Sequence, residues 1–321
     1  MNQAVFLDLD SLTRGDIDLA PLEAAVPGWS LHAQTRPQEV LARVRDAGIV
    51  VSNKVVLDAS ALAQTRSLKL ICVAATGTNN VDLAAAAEQG ITVCNVRDYG
   101  TASVAEHVFA LMLSLRRRLL DYRLALGRGE WQRSSQFCLL DYPMAELQGA
   151  TLGIVGHGVL GQAVARLGEA FGMRVRVAER PGETPRPGRI PLEELLAEAD
   201  VLSLHCPLTE TTRNLIDAEA LARMKPGALL INTARGGIVD EAALLDALRS
   251  GHLGGAGIDV LATEPPSGPH PLLEADLPHL IVTPHVAWAS REARQRLLEQ
   301  IADNIRAFLA GRPRNVVAAA D

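Results

Sequence analysis

The sequence predicts an α/β protein built on two doubly wound parallel sheets. Short β-rich apolar runs alternate with Ala/Leu-rich helical runs from one end to the other. The strand runs are continuously apolar, the pattern of strands covered by helices on both faces. The length, 321 residues, fits about two domains and leaves enough chain to bury a large core.

In the first hundred residues, AVFLDLD, GIVVSN, LKLICVAA and ITVCNV read as strands. The stretch TASVAEHVFALMLSLRRRL, 101 to 119, reads as one long helix. Ser103 with Glu106 fits a capping box there, and Arg116 to Arg118 read as its solvated end, where cations suit the helix dipole. TLGIVGHG, RVRVAE, ADVLSLHCP, GALLINTA, GAGIDVL and HLIVTPH form the second set of strands. Between them, Val159 to Phe171 places Leu160, Val164, Leu167 and Phe171 on one helical face. Asp240 caps a helix from Glu241 to Ser250, which Gly251 ends. A last helix, Glu292 to Ala310, returns to the first domain. That domain is therefore expected to be discontinuous, 1–98 with 289–321, and 99–288 forms the other. A hinge crossed twice, near 99 and 287, suits a cleft that closes on a ligand.

Composition narrows the function. Hydrophobic residues make up 48 % and aromatics 3 %, so the core must be Ala, Leu, Val and Ile. A net charge of −6 argues against a nucleic-acid surface, which needs a basic face, and few aromatics remain for base stacking. MNQAVFLDLD carries two aspartates and no basic n-region, so no secretory leader is expected. The apolar run near Val108 to Leu115 is too short for a bilayer, and a cytoplasmic protein is expected. The four cysteines form no C-x-x-C pair and the eight histidines have no ligand spacing, so neither disulfide nor metal site is expected.

A cofactor signal lies at 151–161, TLGIVGHGVLG. Gly156, Gly158 and Gly161 give G-x-G-x-x-G directly after a strand, with Val159 and Leu160 opening a helix. The first glycine permits a tight turn, the second lets backbone approach a pyrophosphate, and the third lets helix and strand pack closely. The free N–H groups and the helix dipole then face the phosphates. The next strand ends in Glu179, eighteen positions past Gly161, where an acid binds the ribose 2′-hydroxyl. An acid there repels a 2′-phosphate, which favours NAD. Arg180 next door, with Arg186 and Arg189 on the following loop, is the residue type that clamps phosphates, and this leaves NADP open.

In a doubly wound sheet, ligands bind beyond the carboxyl ends of the strands. Arg235 follows LLINTA, Glu264 follows GIDVLAT and His285 follows LIVTP, all on the rim that carries Gly156. An arginine, a carboxylate and an imidazole beside a nicotinamide form a hydride-transfer set. Arg235 can hold a substrate carboxylate and polarise the ketone. His285 can protonate the oxygen as hydride reaches carbon, with Glu264 on its other ring nitrogen.

The residues that carry a family resemblance are GHGVLG with Glu179, HCPLTETTRNLI, MKPGALLINTARGGIVDEAALLDAL, GIDVLATEP and TPHVAWAS. On these, over nearly its whole length, the chain resembles the D-isomer-specific 2-hydroxyacid dehydrogenases. The resemblance implies a Rossmann cofactor domain and a flavodoxin-like substrate domain. It implies that Cys206, Pro207, Thr212, Thr233, Ala234, Asp259 and Ala287 line the nicotinamide and ribose, with Thr101 near the cofactor. It also implies that the turn AATGTNNVD offers backbone N–H groups to a substrate carboxylate at Ala75, Thr76 and Gly77. TPHVAWAS, EWQRSSQFCLLDYPMAEL and SNKVVLD look most like the glycerate dehydrogenase or hydroxypyruvate reductase branch. Lys54 either adds charge near that carboxylate or is an exposed lysine at a strand end. Trp288 either walls the pocket or packs the hinge, and Trp131 is either a dimer anchor or a lid on the partner's pocket. The family usually has Asp where this chain has Glu179, which bears on cofactor choice. The chain stops soon after its last helix, without the regulatory domain of longer phosphoglycerate dehydrogenases, which weighs against a phosphorylated substrate. The expectation is a homodimeric, NADH-dependent reductase of hydroxypyruvate and glyoxylate. The same chemistry on another 2-keto acid, including phosphohydroxypyruvate, is one alternative. An NAD-sensing, corepressor-like binding protein is the other.

Overall fold

The computed structural model describes Gln3 to Ala318. The chain divides into two compact units, one running to Gly100 and resuming at Ala289, the other Thr101–Trp288. In the first unit, β1 (Ala4–Phe6), β2 (Trp29–Leu31), β3 (Ile49–Ser52), β4 (Leu70–Val73) and β5 (Thr92–Cys94) form a sheet in the order β2-β1-β3-β4-β5. In the second, the strands are β6 (Thr151–Val155), β7 (Arg174–Ala178), β8 (Arg189–Ile190), β9 (Val201–Leu204), β10 (Leu229–Asn232), β11 (Gly255–Ile258) and β12 (Leu280–Val282). Their order is β12-β11-β10-β9-β6-β7-β8. Every strand pairing in both sheets is parallel. Two doubly wound α/β sheets are therefore present.

Strand chemistry explains the layers of the second unit. Every residue of β6, β9, β10 and β11 is buried. Successive side chains leave opposite faces of a strand. Leu202, Leu204 and Leu230 thus join Leu195, Leu221 and Leu244 in one core. Val201, Leu229 and Ile231 join Val108, Met112 and Val164 in the other. The pairing Leu229↔Val201 and Leu230↔Leu202 keeps both cores in register, because a one-residue slip would exchange the two faces.

Several local expectations need correction. The long helix is Thr101–Arg116 and does not reach 119; Arg118 turns left-handed at φ +53 and a new helix runs Leu119–Gly127. Arg116 and Arg118 are not a solvated end: Arg118 Nε lies 2.8 Å from the buried Asp121 carboxylate, and burial lowers the Arg116 pKa. Ser103 sits inside the helix rather than at its cap, and its hydroxyl donates to the Ala287 carbonyl at 2.7 Å. Two strands escape the sequence pattern, β2 and β8, at the open edge of each sheet, with three and two residues. Edge strands this short carry no readable period. The last helix is Arg291–Leu309, and the Ser290 hydroxyl accepts from the Ala293 N–H at 3.2 Å. Among the described residues, no helix is long and apolar enough to cross a membrane.

Candidate active site

The carboxyl ends of β10, β11 and β12 are consecutive along one parallel sheet. At roughly 4.8 Å per strand, the turns after β10 and β12 start about 10 Å apart. Arg235, Glu264 and His285 lie on these three turns. Glu264 Oε2 is 2.6 Å from His285 Nδ1, and its Oε1 accepts from the Leu261 N–H at 2.8 Å. The carboxylate is therefore anchored to its own loop before it reaches the imidazole. This leaves Nε2 as the ring atom that can meet a substrate.

His285 is held in an unfavourable backbone conformation, φ +54, at a cost on the order of 1 kcal/mol. Asp259 fixes it there. The Asp259 carbonyl accepts from the His285 N–H at 2.8 Å, and its carboxylate accepts from the N–H groups of Val286 and Ala287, each at 2.9 Å. The Thr283 hydroxyl donates to the same carboxylate at 2.6 Å and lies 3.0 Å from His107 Nε2. Trp288 donates its indole N–H to the His285 carbonyl at 3.0 Å. A single buried carboxylate thus shapes the whole turn 283–287.

Asn232 does similar work for Arg235. Its side-chain oxygen accepts from the Ala234 N–H at 3.0 Å and its amide donates to the Arg235 carbonyl at 2.9 Å. Next to it, a Cβ on Gly236 would lie 1.9 Å from the Leu261 carbonyl oxygen, so only glycine lets the β10 and β11 turns meet. Asn232, Thr283 and His107 were not singled out from the sequence, and Ser103 was read only as a helix cap. The signal for Asn232 was an Asn at a strand end before a tight turn; Thr283 and His107, far apart in the chain, had none.

The glycine turn fits a dinucleotide by three separate measures. Gly156 has φ +92, and a Cβ there would strike the Cys206 N–H nitrogen at 2.5 Å. On Gly161 a Cβ would strike the Gly156 carbonyl oxygen at 2.1 Å. On Gly158 a Cβ would meet nothing within 4 Å, so this glycine opens onto free space at the start of the helix Val159–Ala170. Leu160 follows Val159 in its first turn. The arrangement is what a pyrophosphate on a helix N-terminus requires. Across the rim, the Thr212 hydroxyl donates to the Pro207 carbonyl at 2.7 Å and ties the turn after Cys206. Burial raises the Cys206 thiol pKa, which keeps the thiol protonated. Beside Ala234, the buried Thr233 Oγ1 has no hydrogen-bond partner among the described residues, a polar atom that a ligand could satisfy.

Glu179, at the end of β7, does not present an open carboxylate. It is almost fully buried and accepts from Arg186 Nε at 2.7 Å, from Arg186 Nη2, from Arg189 Nη1 at 3.3 Å, and from the N–H groups of Arg180 and Arg186 at 2.9 and 3.0 Å.

The remaining predicted residues, Thr101 apart, belong to the first unit. Ala75, Thr76 and Gly77 form a turn after β4; Asn95 Nδ2 donates to the Thr76 carbonyl at 2.7 Å, and the Thr76 hydroxyl donates to Val96 at 3.0 Å. Lys54 follows β3, and its N–H donates at 2.7 Å to Asp8, whose burial raises the carboxyl pKa. Thr101 opens the helix Thr101–Arg116 in the second unit.

A glycine turn shaped for a pyrophosphate and a carboxylate-oriented imidazole on the same rim define a nucleotide-dependent oxidoreductase. Residues 109–287 match the family described as D-isomer specific 2-hydroxyacid dehydrogenase, NAD binding domain. A glycerate dehydrogenase of Methylorubrum extorquens is 50 % identical over 99 % of both chains. A hydroxypyruvate reductase of Blautia hydrogenotrophica is 38 % identical over 98 % of both. Among solved structures, the D-lactate dehydrogenase of Aquifex aeolicus, complexed with NAD and lactic acid, is 28 % identical, covers all of both chains and superposes with a TM-score of 0.80. The chain belongs to the D-isomer-specific 2-hydroxyacid dehydrogenase family. It is an NAD-dependent oxidoreductase acting on the CH–OH group of 2-hydroxy acids.

Proposed function

We propose that this enzyme reduces hydroxypyruvate to D-glycerate and glyoxylate to glycolate, with His285 as the acid. The hydrogen bond of 2.6 Å between Glu264 and His285 carries this reading. With Nδ1 committed to the carboxylate, Nε2 is the ring nitrogen left to carry the proton to be given. Bound NADH would rest its pyrophosphate on Gly156, Gly158 and Gly161 and supply the hydride. Cys206, Pro207, Thr212, Thr233, Ala234, Asp259 and Ala287 would line its nicotinamide and ribose. Arg235 pairs with the substrate carboxylate and polarises the adjacent ketone, and His285 delivers its proton to the ketone oxygen as the alcohol forms. The N–H groups at Ala75, Thr76 and Gly77 are assigned to the same carboxylate, with Lys54 adding positive charge. Trp288, bonded to the His285 carbonyl, stiffens the turn that carries the acid. A small polar keto acid is supported by relatives named glycerate dehydrogenase and hydroxypyruvate reductase.

The enzyme is further proposed to act as a homodimer. Leu119, Leu124, Trp131, Phe137, Leu140 and Met144 are all exposed within one stretch of the second unit, Phe137 at 89 %. Monomers rarely expose apolar groups so densely, and a second copy of the chain is the occupant that a closed symmetric contact would supply.

The test follows NADH oxidation with hydroxypyruvate, glyoxylate, phosphohydroxypyruvate, pyruvate and a bulkier keto acid. Hydroxypyruvate should turn over fastest. Preference for the phosphorylated or the bulky acid would overturn the substrate assignment, and no turnover with NADH still bound would favour a sensing role. His285→Ala and Arg235→Ala should each lower turnover by at least about a hundredfold while NADH binding persists.

A further inference from the structure

The carboxylate expected to read the adenosine ribose is already occupied. Two carboxylate oxygens offer about four lone-pair sites, and five N–H donors converge on Glu179, three of them from guanidinium groups. A ribose diol can bind Glu179 only by displacing some of them. The guanidiniums also hold the Glu179 carboxyl well below the usual carboxylate range, so it is ionised and matched in charge. An acid at this strand end excludes a 2′-phosphate by repulsion, and arginine nearby accommodates one. Here the acid is neutralised by Arg186 and Arg189, and Arg180 lies alongside, paired loosely with Glu183 at 3.4 Å. The Arg186 side chain is 48 % exposed, so its guanidinium stands between the buried carboxylate and solvent.

We propose that Arg186, supported by Arg180 and Arg189, forms a 2′-phosphate subsite, so that the enzyme takes NADPH as well as NADH and Arg186 sets the ratio. The diol of NADH competes with Arg186 for Glu179. The phosphate monoester of NADPH leaves that pair in place and adds charge-assisted bonds to the outward guanidinium groups. Arginine suits this task better than lysine, because its planar fork can serve carboxylate and phosphate together. The inference rests on the dinucleotide reading of the glycine turn.

The experiment measures direct binding of NADH and NADPH by fluorescence titration, and of 5′-AMP and 2′,5′-ADP by calorimetry, to the wild type, Arg186→Ala and Arg186→Lys. In the wild type, NADPH should bind within about thirtyfold of NADH; a larger gap overturns the proposal. Arg186→Ala should weaken NADPH and 2′,5′-ADP by at least about tenfold while NADH and 5′-AMP hold or tighten. Arg186→Lys should fall between. Equal weakening of both dinucleotides, or none, overturns the subsite. Loss of NADH as well as NADPH binding in the wild type would instead overturn the glycine-turn reading itself.

Discussion

The Glu264 carboxylate reaches the Nδ1 of His285 at 2.6 Å across the ends of neighbouring strands β11 and β12. The bond fixes which ring nitrogen is tied down, so Nε2 is the atom left to exchange a proton with the substrate oxygen. Glu264→Gln keeps the shape and removes the charge. Turnover in keto-acid reduction should fall by about tenfold or more while NADH binding persists. Wild-type turnover in Glu264→Gln would remove the carboxylate from the mechanism.

Gly158 and Gly161 should fail in different ways. A methyl at 161 collides with the Gly156 carbonyl, whereas one at 158 enters open space. Gly158→Ala should therefore keep the wild-type melting temperature yet lose dinucleotide binding, since the added methyl occupies the pyrophosphate's approach. Gly161→Ala should unfold earlier, by about 2 kcal/mol or more. Thermal melting with and without NADH separates the two, and normal NADH affinity in Gly158→Ala would count against the assigned role.

Histidine 205 should make stability depend on pH. Burial lowers its pKa from 6.5 to about 4, with its Nε2 2.9 Å from the Ser203 hydroxyl. The folded chain thus keeps a neutral ring where the unfolded chain takes a proton. Stability is intact above the unfolded value and is lost as pH falls from about 6.5 toward about 4. The loss is on the order of 3 kcal/mol. Urea unfolding of wild type and His205→Gln across this window should give curves that diverge at low pH, the variant being flatter. Parallel curves would assign the acid sensitivity elsewhere.

The exposed apolar stretch gives a measurable consequence in solution. Phe137→Asp combined with Leu140→Asp places two charges on side chains 89 % and 77 % exposed. Folding of one chain should be untouched, while the mass by light scattering falls from dimer to monomer. A wild type that is monomeric at micromolar concentration would refute the assignment.

Much of this protein was determined by the sequence alone. Continuous apolar strands and intervening helices are local patterns, and they identify both sheets because burial on two faces leaves no other reading of runs such as LLIN and IVVS. The glycine spacing at 156, 158 and 161 is legible for the same reason: a steric demand on backbone written into consecutive residues. Tertiary structure alone decided what depends on residues far apart. It drew Asp259, Thr283 and His107 into one network around the left-handed His285 turn. It also folded Arg186 and Arg189 back onto Glu179, seven and ten positions away. In sequence Glu179 is an acid at a strand end; in space it is a buried carboxylate covered by the partly exposed Arg186 and Arg189. A side chain's chemistry is set by the donors around it, and a loop's path cannot be read from the charges it carries.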